Sequence, residues 1–232
     1  MVTIRKACER GRTLSSWLDS RHTFSFGKFR DSGFVRFGAL CALNEDRIAV
    51  GGGFRPHPHE NLELVTYPLD GAFGHRDSTG SEAVVEPGQI QRLSAGSGVT
   101  HAAVNAGQEG LCRVVQLWFK PSEIGTRPSC ERKSVDLDAI RNRFARLAAP
   151  APRDNEIRIA QDVELWAARL DADHELVQRI SRGRRAWLQV AKGEITLNDK
   201  IMREGDGAAI TDDDRFFVRA IVRSELLLID LS

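Results

Sequence analysis

The chain has almost no net charge. Its 33 lysines and arginines stand against 32 acidic residues, leaving +1, so its field selects neither nucleic acid nor an anionic membrane surface. It has no apolar run near the roughly 18 residues of a spanning helix. The basic start, Met1 to Cys8, has no apolar stretch behind it, which argues against a signal peptide. Its four cysteines, Cys8, Cys41, Cys112 and Cys130, are far apart and form no Cys-x-x-Cys pair, so a zinc knuckle or redox dithiol is not indicated. Without a secretory start they read as buried or incidental thiols, and the expected compartment is the cytoplasm. Nothing resembles a DNA-reading helix. The hydrophobic fraction, 41% of 232 residues, suits an ordinary globular protein of one large domain or two small ones.

What the chain does have is short β-prone runs punctuated by Gly and Pro. Phe24 and Phe26 share a parity, as on a strand. Phe34 to Leu43 is β-prone and meets the turn-like Asn44-Glu45-Asp46, and Val114 to Phe119 reads as a core strand. Such spacing argues for a barrel or sandwich. Leu64 to Gly71 followed by Pro87-Gly88 is echoed by Trp187 to Gly193 followed by Gly205-Asp206-Gly207, a weak internal repeat that favours two barrels of related design. Between them Leu137, Ile140, Phe144 and Leu147 recur at helical spacing, with Ser134 or Asp136 as N-cap and Ala149-Pro150-Ala151-Pro152 as terminator. The expected fold is therefore all-β: two barrels, residues 1–133 and 134–232, joined by a short helical connection.

Three of the six histidines lie in two Gly- or Pro-rich segments, Phe54-Arg55-Pro56-His57-Pro58-His59 and Gly96-Ser97-Gly98-Val99-Thr100-His101. Side chains alternate faces along a strand, so His57 and His59 point together, with Glu63 on the same side if the strand continues. Two imidazoles on one face and a third from another strand make half a coordination shell for a borderline divalent ion. A His-x-His on a strand also occurs without metal. His22, His75 and His174 lack such a setting and read as surface or hydrogen-bonded, so replacing His75 is expected to leave metal binding intact. The second repeat has no histidine near its turns, and no metal site is expected there. Arg179, Arg182, Arg184 and Arg185 form a local basic run, either a contact patch or a solvated loop.

Several of these segments resemble the pirin family of bicupin proteins, and the resemblance runs over nearly the whole chain. It rests on Trp17-Leu18-Asp19-Ser20 with His22-Thr23-Phe24-Ser25-Phe26, on His57-Pro58-His59, and on Ser94-Ala95-Gly96 with Gly98 and His101. Gly51, His57, His59, Glu63 and the late Gly71 match the first cupin motif. Gly98, His101 and Asn105 match the second, with Gly96 where proline is usual. The resemblance implies two jelly-roll barrels with one divalent ion, Fe(II) by preference, in the N-terminal barrel.

Pirins usually add a glutamate two residues after the third histidine, and Ala103 stands there. The broader cupin pattern takes its carboxylate from the position of Glu63, which leaves Glu63 as a ligand or as a group orienting an imidazole. The resemblance implies a flavonol (quercetin) 2,3-dioxygenase acting on a small aromatic substrate. Its alternatives are a non-enzymic regulatory protein working through a protein partner, or a degenerate barrel whose metal binding Ala103 has weakened.

Overall fold

A computed structural model of the chain describes residues 1–212 and 215–232. Strand follows strand along almost its whole length, and among the described residues the one helix is a single 3-10 turn, Ala7–Glu9. Among the described residues no helix is long and apolar enough to cross a membrane. The strands gather into two units. One is Gly11–Val135 with Pro152–Gln161, and the other is Met1–Arg10 with Asp136–Ala151 and Asp162–Ser232.

In the first barrel a broad sheet runs, in spatial order, Ser129–Ser134, Gln89–Ser94, Glu63–Asp70, Cys112–Phe119, Leu40–Ile48, Leu18–His22 and Gly11–Leu14. Its small sheet runs Gly53–His59, Val99–Asn105, Phe73–Asp77 and Glu82–Val85. The second barrel repeats this order. Its broad sheet contains Val2–Arg5, Gly207–Ile210, Arg185–Lys192, Ser224–Leu231, Val163–Leu170 and Ala145–Ala149. Its small sheet is Glu175–Arg179, Arg215–Ala220, Glu194–Leu197 and Lys200–Arg203.

The repeat read from the sequence is thus a repeat of topology, and its glycines do the same work twice. Gly71 and Gly193 turn the broad-sheet strand into the small sheet at φ of 71° and 90°, a region where only glycine is at ease. A Cβ would lie 2.7 Å from the carbonyl oxygen of Leu111 at Gly71, and 2.6 Å from that of Arg223 at Gly193. Each of those residues leads into the strand that pairs beside the turn.

Three expectations are corrected. The domain boundary at 133/134 misses two exchanges: Val2–Arg5 pairs with Gly207–Ile210 to complete the second barrel, and residues 152–161 return to the first. No sequence signal names the partner of an edge strand. The helix over 137–147 does not form. Asp136 caps a single turn, its Oδ1 accepting from the N–H of Asp138 and Ala139 at 3.0 and 3.1 Å. The chain then leaves the turn at Asn142, with φ of 56°, and Ala145–Ala149 is strand. The apolar spacing is divided between a turn that buries Ile140 and a strand that buries Leu147. Asn44-Glu45-Asp46 is no turn either. It lies buried within the strand Leu40–Ile48, held by ladders on both sides. Its polar side chains find partners there: the Oδ1 of Asn44 accepts from Nδ1–H of His22 at 3.0 Å, and Glu45 accepts from Arg113 at 2.9 Å.

Candidate metal centre

The small sheet of the first barrel is where the histidines meet. Gly53–His59 runs antiparallel to Val99–Asn105, with His57 opposite His101 and His59 opposite Val99. The turn that delivers His101 contains Gly96 at φ of 48°. Proline, fixed near −65°, cannot adopt that conformation, so the departure from the usual motif follows from the local backbone. Asn105 ends the strand by donating to the carbonyls of Ile48 and Gly110 at 2.9 and 3.0 Å. Its role is to tether, and that tether fixes the register bearing His101.

Ligating nitrogens of His57, His59 and His101 all lie within 4.8 Å of one another. Their protons can be assigned from their neighbours. The Nδ1 of His57 is 2.8 Å from the carbonyl oxygen of Arg55; a carbonyl only accepts, so Nδ1 carries the hydrogen and Nε2 is bare. The Nε2 of His101 is 3.1 Å from that bare Nε2, and the Nε2 of His59 is buried without a partner. Burial, and after it the neighbouring His57 ring, holds the pKa of His59 down to about 4. Burial, followed by His57 and His59, holds His101 at about 3. Both rings are neutral near pH 7 and offer lone pairs rather than positive charge.

A divalent ion fits this arrangement. Two nitrogens about 2.1 Å from one ion stand about 3.0 Å apart at a right angle and about 3.4 Å apart at the tetrahedral angle. The observed 3.1 Å between His57 and His101 lies between the two. A shared ion would also satisfy the orphaned nitrogen of His59, whose desolvation is otherwise uncompensated.

Glu63 does not join them. The strand bearing His57 ends at His59, the chain turns at Asn61 with φ of 50°, and Glu63 begins a strand of the other sheet. The parity argument required an unbroken strand, and the turn breaks it. Glu63 is buried, with Oε1 accepting from the Ser94 hydroxyl at 2.5 Å and Oε2 from the Ala160 N–H at 3.3 Å, and with Arg92 4.0 Å away. Ala103 does face the interior, lining the same cavity as His57 and His101.

That cavity, about 460 Å³, opens between the two sheets of the first barrel. Trp17, Leu18, Phe26, Phe54 and Trp118 give it apolar walls, and Ser20, His22, Asn44, Asp46 and Gln116 give it polar groups. Trp118 meets the His59 ring edge-on at 4.9 Å, and Phe26 stacks on His22. His22, read from sequence as merely surface or hydrogen-bonded, is buried, bonded to Thr13 at 2.8 Å and part of the cavity wall. The His174 ring bonds the carbonyl oxygen of Asn142 at 3.0 Å, away from the other histidines. In the basic run, Arg184 is committed to Asp230 and Asp162 at 2.6 and 2.8 Å.

Sequence reasoning gave His75 no role, and Asp77 none. Both are buried on the strand that flanks Val99–Asn105 on its other side, with Asp77 opposite His101 and His75 opposite Ala103. The alternation of His75 and Asp77 along one strand, which puts both on one face, was the available signal.

The pirin family model matches residues 2–119, and the model of the quercetinase C-terminal cupin domain matches residues 146–231. The quercetin 2,3-dioxygenase of Escherichia coli K12 is 39% identical over 231 residues, spanning 100% of this chain and 99% of that protein. A crystal structure of YhhW from Escherichia coli superposes with a TM-score of 0.95 at 38% identity, covering 100% of this chain and 98% of that one. The bacterial pirin YhhW in complex with nickel(II) gives 0.93 at 37% identity, covering 100% and 99%.

Proposed function

Since the chain belongs to the pirin family of two-barrel cupins, we propose that its first barrel is a divalent-metal site serving a dioxygenase that opens flavonol-like substrates. His57, His59 and His101 would hold the ion. Fe(II) is the expected ion for oxygen chemistry, and a bacterial pirin crystallised in complex with nickel(II) supports other divalent ions as well. When bound, the ion supplies Lewis acidity that lowers the pKa of a phenolic hydroxyl, and a site where dioxygen and an electron-rich ring can react.

The chain's own residues supply the rest. The indole and phenyl walls suit a flat aromatic substrate, and about 460 Å³ is within the range of small-molecule sites. Hydroxyl groups on such a ring would meet Ser20, Asn44 and Gln116, with the Asp46 carboxylate an acceptor lining the same space. With alanine at 103 and Glu63 tied to Ser94 and Ala160, the carboxylate lining this cavity that could take the substrate's proton is Asp46. The walls also exclude water from the ring to be opened.

The observation that carries this reading is the convergence of three imidazoles, one with an orphaned nitrogen, on an apolar-walled cavity. Oxygen uptake by Fe(II)- or Ni(II)-loaded protein with quercetin, followed alongside loss of flavonol absorbance, tests it. Metal-dependent uptake coupled to that loss supports the reading; a metal-loaded protein that consumes no oxygen sinks it. One observation favours the second reading, a pirin-like regulatory protein that acts through a protein partner or holds metal weakly. Ala103 is set among Leu18, Ile48, Phe73, Cys112 and Val114, with no carboxylate in place of the family's glutamate.

A further inference from the structure

His101 has a second nitrogen, and the groups behind it are ordered. Its Nδ1 lies 3.5 Å from the Nδ1 of His75, and the Nε2 of His75 lies 2.9 Å from Oδ2 of Asp77. Asp77 is itself anchored on its other oxygen. Oδ1 accepts from the N–H of Thr79 at 2.8 Å, the hydroxyl of Thr79 at 2.6 Å and the N–H of Ser81 at 3.3 Å. All three groups of the chain Asp77–His75–His101 are buried.

Proton positions follow in sequence. A carboxylate only accepts, so His75 carries its hydrogen on Nε2 and its Nδ1 is bare. A bare Nδ1 can only accept, so it draws the hydrogen of His101 to Nδ1, in competition with the bare Nε2 of His57 that faces the other nitrogen of His101 at 3.1 Å. That leaves the Nε2 of His101 bare and aimed at His57. Although burial works to raise the pKa of Asp77, bonds from Thr79 and His75 hold it below the ordinary carboxylate value, which keeps the head of the chain an acceptor.

We propose that His75 and Asp77 are positioning residues that fix the tautomer of His101, so that its Nε2 lone pair is presented to the ion. Histidine ligands are commonly held this way, by a carboxylate or carbonyl on the far nitrogen; here a second imidazole is interposed. The inference rests on the metal reading for its purpose but not for its geometry. It also bears on a second cluster, in which Cys130 lies with His75 and Asp77 within 4.8 Å. While His75 donates Nε2–H to Asp77, its ligating lone pair faces His101 instead. That cluster is therefore closed to a second ion whenever His101 holds the first.

Asp77→Asn reverses the chain at nearly constant shape. Three donors converge on Oδ1, so the amide oxygen takes that side and its NH₂ faces His75. His75 then accepts at Nε2, donates from Nδ1, and pushes the hydrogen of His101 onto the ligating Nε2. The expected result is Ni(II) affinity, measured by chelator competition, that falls about 10–100-fold with an unchanged circular dichroism spectrum. Imidazole ¹⁵N shifts of the metal-free protein should move the His101 hydrogen from Nδ1 in the parent to Nε2 in Asp77→Asn. Cys130→Ser should bind Ni(II) like the parent. The inference is overturned if the His101 tautomer is the same in both proteins, or if the parent takes up two ions and Cys130→Ser loses one. A parent that binds no Ni(II) yet shows the tautomer shift would sink the metal reading while leaving the positioning chain standing.

Discussion

In the first barrel, strand Val99–Asn105 lies between neighbours that put His57 and Asp77 on either side of His101. In the second, strand Arg215–Ala220 occupies the same place in the sheet and puts Val218 between Leu176 and Leu197. The second interior is filled from both sheets by aliphatic and aromatic side chains, among them Leu188, Ile195, Met202, Phe216 and Leu228. The first holds a cavity and buried polar groups in their stead. Burying an aliphatic or aromatic side chain is worth about 1.5–3 kcal/mol, so the second barrel gathers stability where the first gives it up. The backbone ladders are common to both. Chemistry therefore resides in a few inward-facing positions, and the fold accepts either filling.

The sharpest way to break this comparison is to put charge into the wrong barrel. Val218→Asp would bury an unpaired carboxylate among hydrocarbon and should cost more than about 4 kcal/mol in urea unfolding. Ala103→Glu faces a cavity and imidazoles and should cost far less. Equal losses would mean that the two interiors do not differ as described.

Next in size is the metal itself. His101→Ala should weaken Ni(II) binding by at least about 100-fold, whereas Val218→Ala should leave it unchanged, both read by chelator competition. Retention of parental affinity by His101→Ala would remove the first barrel's claim to be the binding one.

Ala103→Glu sharpens the comparison from the other side. It supplies the carboxylate that the resemblance leads one to expect there, and affinity should rise about tenfold or more. If affinity stays at the parental level, the missing carboxylate is not the defect.

A readout that needs no metal is stability against pH. His59 and His101 have folded pKa values of about 4 and about 3, below the ordinary 6.5. The unfolded chain thus binds more protons than the folded one between these values, and stability of the metal-free protein falls as pH drops from 6.5 toward 4. The Val218 barrel has no such pair in that row, so the loss should shrink in a His59→Leu, His101→Leu variant. A thermal midpoint independent of pH across that interval would contradict the assignment.

The sequence made legible whatever depends on local pattern. Alternation placed His57 beside His59, and repeated Gly turns announced two barrels. It misled where position in the fold overrode composition. Asn44-Glu45-Asp46 has the make-up of a turn but sits mid-strand, because a cavity inside the barrel gives polar side chains somewhere to point. Glu63 has the spacing of a ligand but lies beyond a turn at Asn61, in the opposite sheet. His75 looked incidental because its partner, His101, is 26 residues away and only strand pairing brings them together. The interval Leu137–Leu147 shows that helical spacing of apolar residues can be shared by a turn and a strand.

The most direct test is metal content by elemental analysis after loading with Ni(II) and desalting. The parent should retain about one ion per chain, and the His57→Ala, His101→Ala double variant almost none. A parent that emerges empty, or a double variant that keeps its ion, would contradict the convergence of imidazoles on which the account stands.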